Sequence, residues 1–249
     1  MRPSVAEGYV LRTWKLGEAD LVVSLFTREE GILRGVARAA RRSRRRFGGA
    51  LEPLTRVRVR FVERPSSDLA RLEELEPIRS YFGAQSDPAV AAAFAYVAEM
   101  VEQFGREKEA DDPFFRLVGA VAEGLDRGVD PLLAARYFEA WTLRLQGLLP
   151  DLRICPSCER PLTAGGWYDR RHGEVSCARC LPPASGGERI EPGVFALAGS
   201  ILTRPLDAVH ECRPAPATVA GLGSLLAGIL ARFLERPFRS LRILEGLSA

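Results

Sequence analysis

The chain has 249 residues, 47% of them hydrophobic and 27% charged, with a formal net charge of +3. That balance supplies material for a packed core and excludes a wholly disordered, collagen-like or low-complexity protein. Two histidines and two lysines (Lys15 and Lys108) leave little room for histidine- or lysine-dependent catalysis, and the other 33 of the 35 basic residues are arginine.

In chain order, the opening MRPSVAEGYVLR has no apolar h-region, so no secretory signal is expected and the cytoplasm is the expected compartment. The first 80 residues read as β-rich. Tyr9 to Lys15, Leu21 to Thr27 and Ile32 to Ala37 are short runs of β-formers, with a turn at Glu29-Glu30-Gly31. The clearest strand is Thr55 to Val62, where Val57, Val59 and Phe61 alternate with Arg56, Arg58 and Arg60. One face is therefore apolar and the other an arginine ladder. Leu69 to Leu75 is the candidate fifth strand. Five short strands in this length predict a small barrel or Greek-key sheet, of which the OB-fold is a leading example.

The same region carries the charge. Residues 1 to 80 hold 17 Lys+Arg against 11 Asp+Glu, and residues 34 to 60 hold ten arginines against the single acid Glu52. The run Arg38, Arg41, Arg42, Arg44, Arg45, Arg46 ends at Phe47-Gly48-Gly49. Such a run repels itself unless an anion neutralises it. With Arg34 and the Arg56, Arg58, Arg60 ladder it forms a candidate phosphate-binding surface. Phe47 is the expected stacking residue, Tyr9 and Trp14 weaker ones. For Trp14 itself, a place in the core beside Phe61 is the better expectation. Phosphate neutralisation plus base stacking is the recipe for single-stranded nucleic acid.

The composition then changes. Asp87-Pro88, Asp112-Pro113 and Asp130-Pro131 each set an N-cap residue before a proline at the first helical position. Helix-spaced apolar residues follow each: Phe94 to Phe104, Phe115 to Leu125, and Leu133 to Leu145. Further helices are expected near Val194 to Leu202, Val219 to Leu234 and Phe238 to Leu244. Pro214 to Ala231 is uncharged but carries prolines and glycines, and it reads as a core helix and not as a membrane span, which needs ~20 mostly apolar residues.

Between these helices stands the strongest motif, Cys155-x-x-Cys158 and Cys177-x-x-Cys180, separated by eighteen residues. Two such knuckles fit a tetrahedral Zn²⁺ held by four thiolates, with no open position and hence a structural role. An iron–sulfur centre and a redox thiol pair are the alternatives. Gly165 to Tyr168 and His172 to Val175 read as a small hairpin between the knuckles, with His172 at the surface. Cys212 is expected to be a plain buried residue. No P-loop, H-E-x-x-H or G-x-S-x-G motif is present, which favours a binding protein over an enzyme.

Several stretches taken together resemble the RecO family of bacterial DNA-repair proteins. They are Gly8 to Arg12, Gly17 to Thr27, Glu30-Gly31, the arginine-rich loop through Gly49 to Pro53, Phe138-Glu139, Leu145 to Pro150, the paired cysteines, and Ser240 to Leu244. The resemblance implies an α+β protein divided into an OB-fold DNA-binding domain (1–82), a first helical part (83–150), a four-cysteine zinc module (151–184) and a second helical part (185–249). It also implies a non-catalytic recombination mediator that binds single- and double-stranded DNA, anneals complementary strands and partners RecR. With RecR such proteins help RecA load onto DNA coated by single-strand-binding protein. The acidic tail of that coat would dock on the helical domain, at Arg136 near Tyr137 and Leu133, or at Arg144 in its place. No membrane is implied, and the expected location is cytoplasmic, on the nucleoid. The competing expectations are a zinc-ribbon protein acting on RNA or in transcription, and a zinc-stabilised assembly scaffold.

Overall fold

The computed structural model describes residues 3–42, 47, 49–64, 67–181, 186–234 and 236–248. Five strands, β1 (Ser4–Leu16), β2 (Asp20–Thr27), β3 (Gly31–Ala37), β4 (Arg56–Arg64) and β5 (Ser67–Arg79), close a barrel in the order β1-β2-β3-β5-β4. All pairings are antiparallel except β3 with β5, which run parallel over Gly35–Ala37 against Ala70–Leu72. This is the OB-fold arrangement. Val10, Val23, Leu25, Leu33, Val57, Val59, Phe61, Leu72 and Leu75 fill its interior; alternation places Val57, Val59 and Phe61 there, and a register shift in the β4–β5 pair brings both Leu72 and Leu75 inside. All five expected strands are present; β1 and β5 run several residues longer than expected, β2 and β3 one residue longer, and β4 is shifted by one to two residues.

Strand β1 is irregular between Val10 and Arg12, where an extra residue is accommodated. Val10 faces the core opposite Leu25, whereas Arg12 lies opposite Ser24 on the outside. A bulge of this kind reverses which face every later residue occupies. Beyond it, β1 pairs only with β2, because its pairing with β4 ends at Tyr9.

Helices α1 (Pro88–Phe104), α2 (Asp112–Asp126) and α7 (Arg239–Leu247) pack into the same compact unit as the barrel. Phe114 and Phe115 of α2 meet Phe26 at ring-centroid distances of 5.4 and 6.0 Å, and Tyr9 lies 4.9 Å from Phe115. Gly119 is required there, since a Cβ would stand 2.6 Å from the Tyr9 hydroxyl. At the start of α7, the Ser240 hydroxyl and N–H donate to Glu99 of α1.

The second compact unit, residues 129–237, holds α3 (Pro131–Leu145), the sheet β7-β6-β8 (β6 Gly166–Asp169, β7 Glu174–Ser176, β8 Glu188–Ile190), and α4 (Pro192–Ile201), α5 (Leu206–Glu211) and α6 (Pro216–Leu230). The helices expected in series therefore fall into both units. Asp87, Asp111 and Asp130 accept from the N–H groups of Ala89, Phe114 and Leu133, so two of the three expected N-caps hold. The second moves back one residue. Asp111 caps α2, and Asp112 instead pairs with Arg28 and Arg116. Helix α5 and strand β8 carry no strong sequence signal and were not expected. Cys212 is exposed, with Arg204 donating to its sulfur at 3.1 Å, which corrects the expected burial.

Candidate nucleic-acid interface and metal centre

Ten arginines lie between residues 34 and 60, and the structure divides them by their neighbours. Arg56, Arg58 and Arg60 point outward from β4 as expected. Register then sets acids beside them: Arg58 lies opposite Glu7 of β1 and Glu76 of β5, and Arg60 opposite Glu74. Arg56 pairs with Glu7, Arg58 with Glu76 at 3.2 Å, and Arg60 with Glu74. Exposed pairs like these add about 0–1 kcal/mol each to stability. Their larger effect is to cancel the field of the ladder. Arg34 is matched in the same way by Glu107. The candidate phosphate-binding ladder thus carries matched charges rather than a bare positive row.

The segment after β3 differs. It is pinned to the turn between β1 and β2 by three hydrogen bonds: Ala39 N–H to Asp20 Oδ1 at 2.8 Å, Arg41 N–H to the Ala19 carbonyl at 3.2 Å, and Arg41 Nη1 to the Glu18 carbonyl at 2.7 Å. Ala40 anchors it in the barrel core while Arg38, Arg41 and Arg42 are exposed. Arg41 spends its hydrogen bond on a carbonyl, which leaves its charge unmatched, and Arg42 has no carboxylate partner among the described residues. Arg44, Arg45 and Arg46 lie outside the described residues.

The aromatic residues exchange their expected roles. Phe47, the expected stacking residue, is 1% exposed and belongs to the barrel core. Tyr9 is buried against α2, and desolvation pushes its phenol far above the ordinary range. Trp14, expected in the core, is 37% exposed. The bulge in β1 is the cause: unbroken alternation would put Trp14 on the side of Val10, inside. Arg12 sits 5.4 Å from the Trp14 ring centroid and 3.9 Å from Glu102. Register continues the Trp14 row across the outer face through Val22 and Val36 to Arg71. Arg71 is exposed and has no carboxylate partner among the described residues. Arg71 is the residue that sequence reasoning missed, and Trp14 was named only as a weaker stacking candidate better placed in the core; the bulge and the parallel seam put the two on one row.

In the second unit, Arg136 is 2% exposed and pairs at 2.7 Å with Glu139, itself fully buried. Gly223 of α6 lets the helix pass, since a Cβ there would stand 2.5 Å from Arg136 Nε. A cation buried and paired in this way is not open to an incoming carboxylate, so the first expected tail-docking residue is corrected. Arg144, in the last turn of α3, is exposed.

The four cysteines converge. Cys155–Cys158 and Cys177–Cys180 flank the β6–β7 hairpin, and all four sulfurs lie within 4.8 Å of one another. Cys158 Sγ and Cys177 Sγ are 3.6 Å apart. A tetrahedral ion with metal–sulfur bonds of ~2.3 Å spaces its sulfurs about 3.8 Å apart, so the cluster fits. Burial pushes the Cys155 thiol up, but the N–H groups of Cys177 and Ser157 and the neighbouring Cys158 outweigh it and bring it down to about 6. The hydrogen bond to Cys158 pushes Cys180 up to about 12. Thiols this close perturb one another, and a cation at their centre would favour the thiolate form of each. His172 is 71% exposed and held by Asp169 at 2.7 Å, away from this role. No described helix is long and apolar enough to cross a membrane.

Comparison with known proteins covers almost the entire chain. Residues 1–81 match the profile described as "Recombination protein O N terminal", and residues 85–242 the one described as "Recombination protein O C terminal". A protein named DNA repair protein RecO from Koribacter versatilis is 37% identical over 242 residues, covering 97% of this chain and 98% of that protein. Its namesake from Anaeromyxobacter sp. (strain Fw109-5) is 37% identical over 230 residues, covering 92% and 88%. That from Geobacter sulfurreducens is 32% identical over 250 residues and spans both chains fully. With an OB-fold barrel, a helical remainder and a clustered cysteine quartet already in place, agreement at this length settles the matter: the chain belongs to the Recombination protein O family.

Proposed function

We propose that this protein is a non-catalytic recombination mediator in DNA repair, binding single- and double-stranded DNA through its barrel domain (1–82) and annealing complementary strands. The carrying observation is the pair of exposed arginines Arg41 and Arg42, held at the β1–β2 turn with no carboxylate partner among the described residues. Membership of a family whose relatives are named for DNA repair supports the same reading. Annealing needs no bond chemistry. A surface that neutralises phosphates on two strands lowers their repulsion and raises their local concentration.

In this reading RecR is the partner with which the protein helps RecA load onto strands coated by single-strand-binding protein. The acidic tail of that coat docks on the helical part beside Arg144, the accessible member of the two candidate cations. The ion at the cysteines is Zn²⁺, held by four thiolates as a structural element. Mediation of this kind takes place in the cytoplasm, on the nucleoid.

The test is annealing of complementary oligonucleotides, bare and coated, across a salt series. The wild-type protein is expected to accelerate both. Replacing Arg44, Arg45 and Arg46 by Glu is expected to weaken binding and flatten the slope of log affinity against log salt, which counts neutralised phosphates. Tight binding without annealing would move the protein to another nucleic-acid pathway. For the metal, purified protein should carry one zinc per chain, and Cys155→Ser should lose it together with melting temperature. A variant that kept both would overturn the four-thiolate site.

A further inference from the structure

We propose that Trp14 is a stacking platform for an unpaired base of single-stranded DNA, and so the residue that separates single strands from duplex at this surface. The inference rests on the DNA-binding reading above and deepens it. Trp14 is 37% exposed on an outer strand face, so more than a third of its surface is open to a ligand. Arg12, 5.4 Å from the ring centroid, orders the indole without covering it. The same row continues through Val22 and Val36, both partly buried, giving a shallow apolar strip beside the ring.

Unmatched cations stand at one end of that strip and beside it. Arg71 terminates the row on β5, and Arg41 and Arg42 stand at the β1–β2 turn only a few residues from Trp14 along the hairpin. A flat aromatic and an apolar strip beside unmatched guanidinium groups complement a polyanion whose bases are free to splay. Duplex DNA offers the same phosphates, but its bases are stacked on each other. The β4 ladder has arginines, yet each of the three is matched by a glutamate and no exposed aromatic stands among them. The strip on β1–β2–β3 is therefore the place where charge and stacking coincide.

The experiment compares wild type, Trp14→Ala and Trp14→Phe for binding to three ligands of equal length: oligo(dT), an abasic strand and a duplex. Trp14→Ala is expected to lose roughly 5- to 100-fold in affinity for oligo(dT), the range of one base–aromatic stack. It should change less than about twofold on the abasic strand and the duplex, where only phosphates are read. Trp14→Phe should recover most of the loss. Equal losses on all three ligands would mean that the substitution damaged the charged surface, and would overturn the proposal. Unchanged affinity for all three would assign the indole to a protein partner and overturn it as well. Wild-type protein that bound none of them would remove the DNA-binding reading itself, a result distinct from either. Melting temperatures of the variants confirm that the exposed position leaves the fold intact.

Discussion

Two arginine-rich stretches of the same barrel look alike in sequence and differ in what surrounds them. On β4, Arg56, Arg58 and Arg60 are flanked by strands that bring Glu7, Glu76 and Glu74 within reach. After β3, the chain leaves the sheet, and Arg41 meets a carbonyl instead of a carboxylate. Arginine density alone thus says little about where a polyanion settles. What distinguishes the two stretches is that strand register sets acids beside the β4 arginines, while the segment after β3 has left the sheet.

The aromatic residues sharpen the contrast. Phe47→Ala should be the costliest single change in the region, at about 3–5 kcal/mol, because it empties a site in the barrel core. Thermal or urea unfolding measures it, and a loss below about 1 kcal/mol would place Phe47 outside the core. A matched pair of double variants addresses the arginines directly. Reversing Arg41 and Arg42 to Glu is expected to cost at least tenfold in DNA affinity at low salt, and to lower the salt slope by about one to two. Truncating Arg58 and Arg60 to Ala should change affinity less than about threefold and stability by less than about 1 kcal/mol per pair, as surface ion pairs do. Anisotropy titrations over a salt series read both. Equal losses from the two pairs would erase the distinction between the stretches.

Much of the fold was legible. Runs of β-forming residues marked the barrel strands, with period-two alternation clear in Val57-x-Val59-x-Phe61, and the Asp-Pro pairs marked three helix starts to within one residue. The cysteine knuckles announced a metal-compatible cluster from spacing alone. What failed was information that no local pattern carries. Alternation tells which residues share a face but not which strand lies opposite, so the glutamate partners of the ladder stayed hidden. Phe47 lies in a stretch of sequence without apolar periodicity, so nothing in its neighbours told that its ring is buried. Trp14 was misplaced because one extra residue between Val10 and Arg12 inverts the parity of everything after it. Arg136 reads as a solvated helix residue until Glu139 and Gly223 are seen around it.

The parallel seam of the barrel has one more consequence. It joins β3 to β5 through only three residue pairs, Gly35–Ala37 with Ala70–Leu72, brought together from distant points of the chain. Contacts of that kind form late in folding, after the hairpins, and so short a seam is a natural first place for the barrel to breathe. Its middle pair is Val36 with Arg71, the far end of the row that begins at Trp14. A single strand bound along the row, as proposed above, would span the seam and hold only the closed form, so that occupancy and closure would become one linked equilibrium. The barrel is then firmest when it is loaded, and loosest while it waits.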